Sequence, residues 1–350
     1  MPDGLDIDRK AHLSGTMSAH RQHLVVSSGR SDWTSRIENE RDTAAWGKFT
    51  ADVKSMLGRG GEFFDPYHND VMVSTSSFTP LEEAAERESH LHKASGTPTA
   101  SDVQQAPPQQ TVDALLFPAF KHFKGLGTGT DGDDRSGNDA RTLIKASLLP
   151  EKDRLNAVYR DLSDAERTAR SRDPALLASS LDASSIQVPT ILICSHGQRD
   201  RRCGVLGPLL HGEFTRYISS SRGRAARCGG GTTGPLEPVT GAFRSSMSDT
   251  PGSADDEILP VNVGMISHVG GHKWAGNVII YVPPGMRSPA PGAAAAAGPH
   301  PLAGKGIWYG RVEPRHVEGI VEQTLARGTV IQELFRGGLS ANGEMLRLPL

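Results

Sequence analysis

Four long segments without regular apolar spacing interrupt this chain, and they restrict the fold to what the remaining short apolar runs can build. They lie at 83–111, 125–140, 219–257 and 284–306, and they are rich in Gly, Pro, Ser or charged residues. Segments of this kind bury too little apolar surface to offset the entropy of ordering them. We therefore expect four long disordered loop insertions between the parts that pack.

Composition excludes several functional classes. The chain of 350 residues has 40 acidic and 38 basic residues and a net charge of -2, so it has no general electrostatic attraction for nucleic acid. No apolar run approaches the roughly 20 residues of a membrane-spanning helix. We expect a soluble protein without nucleic-acid binding or membrane insertion.

Cysteine usage and the N-terminal sequence bear on the compartment. Three cysteines are too few for a secreted disulfide scaffold and indicate a reducing compartment. The opening residues MPDGLDIDRK have neither the apolar stretch of a signal peptide nor the Arg-rich, acid-poor composition of a transit peptide. No presequence is therefore visible.

The remaining chain divides into two similar halves joined by a charged, helical bridge. Short apolar runs bounded by Gly, Pro or Ser predict strands, and apolar residues at helical spacing predict helices. In the first half, strands are predicted at 23–29, 69–78 and 114–120, and helices within 33–57 and at 141–149. In the second half, strands are predicted at 189–197 and 259–269, a hairpin at 277–283 and 306–312, and helices at 205–218 and 314–328.

This order of elements predicts an α/β fold in which mixed sheets are flanked by helices, as two thioredoxin-like modules. We expect an N-terminal thioredoxin-like module without metal ligands at 1–150, a helical bridge at 151–188 and a C-terminal thioredoxin-like module at 189–350. A faint repeat between LVVSSGRSDW and LICSHGQRDRR supports the same division.

Two pairs of metal-binding residue types stand out in the second half. Cys194 and Cys203 are separated by eight residues, and His268 and His272 by three. All four lie where predicted strands meet loops or helices, and two thiolates with two imidazoles form the donor set of a four-ligand metal centre. The Gly-Gly pair between the histidines allows close approach of a bulky cofactor, which favours a cluster over one ion.

Two other interpretations of these residues stay open. Cys2His2 is also a good tetrahedral set for structural zinc, although the usual C-x2-4-C spacing is absent. A thiol oxidoreductase of thioredoxin type could use Cys194, although its C-x-x-C motif is missing. Cys228, in the RCGGG segment, is expected to be a free exposed thiol.

Residues around the four candidate ligands allow further expectations. Arg199, Arg201 and Arg202 form either an ordinary solvated loop or a docking rim for an acidic redox partner. Asn277 and Lys273 are candidates to hold the turn that carries His272. The aromatic pair Trp274 and Trp308 is expected to pack against the sheet rather than to line the site.

Three blocks resemble the signatures of the sucrase/ferredoxin-like family. They are CSHGQRDRRCG (194–204), SHVGGHKWAGNVIIY (267–281) and WYGRVEPRHVEGIVE (308–322). The opening MPDGLDIDRK with GRGGEFFDPYHND and ELFRGG is similar to a fungal mitochondrial branch of that family. In the first half, Ser27 or Ser28 stands where members of this branch often have a cysteine.

The resemblance implies a thioredoxin-like ferredoxin with a 2Fe-2S cluster held by Cys194, Cys203, His268 and His272. It implies a non-enzymatic electron carrier that works with a protein donor or acceptor such as a reductase, in mitochondrial redox homeostasis. Imidazoles in place of two thiolates raise the reduction potential, as in Rieske centres. Imidazole protonation would couple electron transfer to pH, which makes the expected carrier a one-electron relay coupled to protonation.

Overall fold

The computed structural model describes residues 4–42, 44–68, 70–80, 111–129, 139–219, 260–288 and 298–347. Within these residues, one eleven-stranded mixed sheet has the order β11-β10-β9-β8-β6-β7-β2-β1-β3-β4-β5. The strands are β1 Gln22–Ser27, β2 Val71–Ser76, β3 Thr111–Phe117, β4 Lys121–Gly127, β5 Asp182–Ser185, β6 Thr190–Cys194, β7 Asn262–Ile266, β8 Val278–Tyr281, β9 Gly306–Tyr309, β10 Phe335–Leu339 and β11 Met345–Leu346.

Helices flank this sheet, which confirms the predicted α/β class. They are α1 Ala45–Leu57, α2 Asp139–Leu143, α3 Asp164–Arg170, α4 Pro174–Ser180, α5 Arg201–Ser219 and α6 Val317–Gly319. Two of them continue as π-helical turns, α2 through Ile144–Leu148 and α6 through Ile320–Ala326. None of the helices in the described part of the chain is long and apolar enough to cross a bilayer.

The two halves of the sheet have the same topology. In the first half, β1 and β2 are parallel with α1 between them in sequence, β3 is antiparallel to β1, and β4 is antiparallel to β3. In the second half, β6, β7, β8 and β9 repeat these relations in the same order, with α5 after β6. This strand order is compatible with two thioredoxin-like modules.

In the sheet, the halves meet where β2 pairs with β7 in an antiparallel contact, at Ser76 and Ile266. Two buried apolar clusters pack against the sheet. One belongs to the first half and contains Phe49 on α1. The other contains Leu206 on α5 but also Phe117 on β3, so it joins the two halves. Burial on both faces of the central strands explains why they are nearly continuous apolar runs.

The structure differs from several local predictions. The segment predicted as an insertion at 125–140 begins inside β4 and ends inside α2. The bridge at 151–188 contains β5 besides helices, and its sequence DASS pairs with β4 through the backbone without apolar alternation. Strand β10 was not predicted because its sequence FRGGL holds an arginine and two glycines, which are unfavourable in strands.

Most of the four predicted insertions lies outside the described residues. These undescribed stretches are 81–110, 130–138, 220–259 and 289–297. Cys228, predicted as a free exposed thiol, also lies outside the described residues.

Candidate metal centre

Neighbouring parallel strands bring the predicted ligands to one edge of the sheet. Cys194 is the last residue of β6 and pairs in register with Ile266, the last residue of β7. Cys203 lies in the first turn of α5, and His268 follows β7 by two residues. Because parallel strands end at the same edge of a sheet, these residues lie close together although they are far apart in the sequence.

Three of the four predicted ligands converge. One donor atom each of Cys194, Cys203 and His268 lies within 4.8 Å of the other two. His272 is exposed at the neighbouring turn, and its ring centroid lies 5.4 Å from that of His268. The structure therefore brings together two sulfurs and one imidazole, with the second imidazole beside them.

The chemistry of this donor set fits a metal centre. Both cysteines are buried, and neither forms a disulfide within the described part of the chain. The Nδ1 atom of His268 is buried and has no hydrogen-bond partner among the described residues, and such an atom is costly unless something binds it. Thiolates and imidazoles together suit zinc and iron-sulfur groups.

The two sulfurs are electrostatically coupled. The hydrogen bond from Cys203 lowers the pKa of the Cys194 thiol well below its usual value, and His268 adds to this effect. The same hydrogen bond raises the pKa of Cys203. Metal binding would release any proton that the two sulfurs share, because cysteine binds a metal as the thiolate.

The loop between the cysteines is held tightly. A Cβ atom at Gly204 would lie 2.4 Å from the Cα atom of Gly197, so the two ends of the loop touch through backbone. Arg202 pairs with Asp200 at 2.8 Å, and its hydrogen bonds lower the pKa of Asp200 to about 2. This packing fixes the position of Cys203 relative to Cys194.

The first half of the chain supports this loop directly. The Asp32 carboxylate accepts hydrogen bonds from the backbone N–H groups of Gly197, at 2.8 Å, and Gln198, at 3.3 Å. Ser195 Oγ donates to the Ser31 carbonyl. Loop residues of the two halves therefore hold each other at the site.

His196 links the first half to a predicted ligand. It is buried, and its Nε2–H group donates to the carbonyls of Trp33 and Thr34 at 2.8 and 2.9 Å. Its Nδ1 atom accepts the backbone N–H of His268 at 3.1 Å. The sequence did not predict this role, because it does not show which hydrogen bonds the two ring nitrogens of His196 make.

Comparison with known proteins identifies the family. The sucrase/ferredoxin-like family model matches residues 13–337. The chain belongs to the sucrase/ferredoxin-like family. This confirms the predicted family resemblance.

Curated relatives of this sucrase/ferredoxin-like chain are named altered inheritance of mitochondria protein 32. The one from Meyerozyma guilliermondii is 30% identical over 57% of this chain and 50% of its own length. The one from Clavispora lusitaniae is 33% identical over 56% of this chain and 50% of its own length. The chain thus spans about half the length of these curated relatives. No solved structure matches the chain significantly.

The turn that carries His272 in this sucrase/ferredoxin-like protein is held by Asn277, as predicted. The Asn277 amide donates to the Gly271 carbonyl at 3.1 Å and accepts from Arg336 Nη1 at 2.7 Å. Lys273 instead directs its ammonium group towards Asp8, at 3.8 Å. Arg336 is fully buried on β10, a strand that was not predicted. The sequence sign of this buried charge is an arginine between Phe335 and two glycines.

The three loop arginines differ in their surroundings. Arg202 donates hydrogen bonds to the Asp200 carboxylate and to the Asp6 carbonyl. Arg199 has contacts of 3.3 and 3.4 Å with Ser35. Arg201 is exposed at the start of α5. Arg199 and Arg201 are both exposed, so a docking rim would be formed by these two rather than by Arg202.

The two tryptophans also differ. Trp308 on β9 is fully buried in the core of the second half, in line with the predicted packing role. Trp274 is half-buried beside the site, and the guanidinium carbon of Arg336 lies 5.2 Å from the centroid of its ring. Only Trp274 therefore neighbours the candidate metal centre.

Proposed function

We propose that this protein is a 2Fe-2S electron-transfer protein whose cluster ligands are Cys194, Cys203, His268 and His272. The convergence of two buried sulfurs and one imidazole within 4.8 Å, from separate elements, carries this proposal. The exposed imidazole of His272 completes the set from the adjacent turn. Membership of a ferredoxin-like family supports the same assignment.

In this proposal the cluster supplies one-electron chemistry, and the chain sets its potential. Two neutral imidazoles in place of thiolates remove two negative charges from the ligand set, which favours the reduced state. Rieske centres, with the same replacement, span roughly -150 to +300 mV, against about -400 mV for plant-type all-cysteine ferredoxins. We expect a potential above that of all-cysteine centres.

We also propose that electron transfer is coupled to protonation. His272 is exposed, so a ring nitrogen that does not bind metal can exchange its proton with water. Proton release from a ligand imidazole adds negative charge and lowers the potential as the pH rises. A potential that does not change between pH 6 and pH 10 would contradict this part of the proposal.

We also propose that the two halves of the chain have different roles. We assign 1–150 to a module without metal ligands, 151–188 to a bridge and 189–350 to the ferredoxin module. Hydrogen bonds that Gly197 and His196 of the site loop donate to Asp32, Trp33 and Thr34 support a positioning role for the first module. The names of the curated relatives support a mitochondrial role, and we propose that this role is redox homeostasis.

The test is metal and sulfide analysis of the chain purified without oxygen. We expect equal amounts of iron and inorganic sulfide, two of each per chain, and visible charge-transfer absorption that dithionite bleaches. A double Cys194→Ser and Cys203→Ser variant should lose both, whereas the matched control Cys228→Ser should retain them. A colourless protein without sulfide would contradict the proposal.

Structural zinc is the second candidate, and one observation favours it. Donor atoms of Cys194, Cys203 and His268 lie close together, while His272 is exposed beside them. Three donors this close could bind one zinc ion, whose bonds to sulfur and nitrogen are about 2.0–2.3 Å long. In that case the same analysis would find one zinc per chain and no sulfide.

A further inference from the structure

Arg336 is a buried positive charge without a carboxylate partner. Its relative exposure is 0%, and its guanidinium group donates to neutral oxygens. Nη2 donates to the Thr16 carbonyl at 2.7 Å and Nε to Thr16 Oγ1 at 3.2 Å, while Nη1 donates to the Gly270 carbonyl at 3.2 Å and to Asn277 Oδ1 at 2.7 Å. In the described part of the chain, no carboxylate oxygen lies within the 4.0 Å limit of an ion pair with it.

A buried charge of this kind needs compensation. Neutral hydrogen bonds satisfy the N–H groups, but they do not supply the opposite charge that usually accompanies a fully buried ion. Burial lowers the pKa of Arg336 to about 10. Its guanidinium group donates to the Gly270 carbonyl, in the turn between His268 and His272, so it lies beside the candidate metal centre. A loaded centre would carry the negative charge of its two cysteine sulfurs, which is the compensation that Arg336 lacks.

The backbone near His272 is shaped around this guanidinium. Gly271 has a φ of 78°, and a Cβ atom there would lie 2.4 Å from Arg336 Nη2. Asn277 holds the same turn and the same guanidinium at once. Arg336 thus contacts the Gly-Gly turn between the two predicted histidine ligands, on the side away from solvent.

We propose that Arg336 is the countercharge of the Cys2His2 site and a positioning residue that raises its reduction potential. This inference rests on the proposed function. Reduction adds one electron from an external one-electron donor, and with it one negative charge, to the group that the two thiolates hold. A fixed positive charge in a low-dielectric interior stabilises that added charge. The oxidised state gains less, so the equilibrium shifts towards the reduced state.

The test is a redox titration of the full chain, with dithionite as the donor and optical detection of the cluster. We expect Arg336→Gln to decrease the equilibrium constant for one-electron reduction at least tenfold, which corresponds to about 59 mV. Arg336→Lys keeps the charge and should stay within threefold of wild type. Arg311→Gln is the matched control, because Arg311 already has Asp8 as a partner, and it should leave the potential unchanged. An unchanged potential in a fully loaded Arg336→Gln protein would overturn the inference.

A double-mutant cycle on the protein as purified, with whatever metal it holds, tests the charge pairing by a readout other than the potential. We expect Arg336→Gln to lower the melting temperature less in a Cys194→Ser, Cys203→Ser background than in the wild-type background, because the serines leave no thiolate to compensate. Equal losses in both backgrounds, or insoluble protein in both, would overturn the inference by reducing Arg336 to a structural residue.

The two proposals fail in different ways. Wild-type protein without iron and sulfide refutes the cluster, while the cycle still decides whether Arg336 pairs with the thiolates. Wild-type protein with a full cluster and an unaltered potential in Arg336→Gln refutes only the role of Arg336.

Discussion

The contact between Asp32 and the cysteine loop allows a quantitative test of the first half's role. Asp32→Ala removes the acceptor of two hydrogen bonds that cross from one half to the other, to Gly197 and Gln198. Hydrogen bonds to charged groups contribute about 1.5–3 kcal/mol each. Because Asp32 is only half-buried, the low end applies, and we expect a loss of about 3 kcal/mol in the free energy of unfolding.

Urea denaturation followed by fluorescence measures this loss. Asp32→Asn keeps an acceptor oxygen without the charge and should lose about half as much. Asp42→Ala, at an exposed position of the same half, is the matched control and should stay within about 0.5 kcal/mol of wild type. Iron should also pass to a chelator faster in Asp32→Ala.

An Asp32→Ala protein as stable as the Asp42→Ala control would refute the reasoning. It would mean that the loop keeps its position without the first half. A lower free energy of unfolding without faster iron release would mean that Asp32 stabilises the fold but does not help to hold the metal.

Three further predictions concern the site loop and its ligands. The pKa of Asp200 is about 2 in the folded state, so its stabilising effect is complete above about pH 4 and disappears as the pH falls towards 2. Wild type should therefore be more stable than Asp200→Asn above pH 4, by at most about 2 kcal/mol by linkage. Acid titrations of both proteins should show this difference in the free energy of unfolding disappear between pH 4 and pH 2. Arg201→Glu should slow oxidation of the reduced protein by ferricyanide and weaken the dependence of that rate on salt, whereas identical stopped-flow rates would exclude steering by Arg201. His272→Cys should keep a cluster but lower its potential and its pH dependence, and protein-film voltammetry showing wild-type values would remove His272 from the ligand set.

Much of the fold was predictable because burial on both faces makes the central strands nearly continuous apolar runs. Strands β1, β2, β6 and β8 and helix α5 were all predicted within a few residues of their observed limits. Strands β5 and β10 were not, because DASS and FRGGL pair through backbone hydrogen bonds that leave no apolar pattern. Their place depends on tertiary contacts that a local pattern does not contain.

The site shows the same distinction. Cys194, Cys203 and His268 could be predicted to meet because strand ends and residue types are local features. The roles of Asp32 and His196 depend on contacts between residues more than 160 positions apart. Arg336 reaches the site from a strand that no pattern indicated. The candidate ligands therefore carry a sequence signal, and the residues that contact them or their loops do not.

The central claim is that two thiolates and two imidazoles hold one iron-sulfur cluster. Pulsed electron paramagnetic resonance of the dithionite-reduced chain, labelled with nitrogen-15 histidine, tests it most directly. We predict a signal from a reduced 2Fe-2S centre with two strongly coupled histidine nitrogens, one of which disappears in His272→Cys. A reduced centre without any strongly coupled histidine nitrogen, or no paramagnetic centre at all, would contradict it.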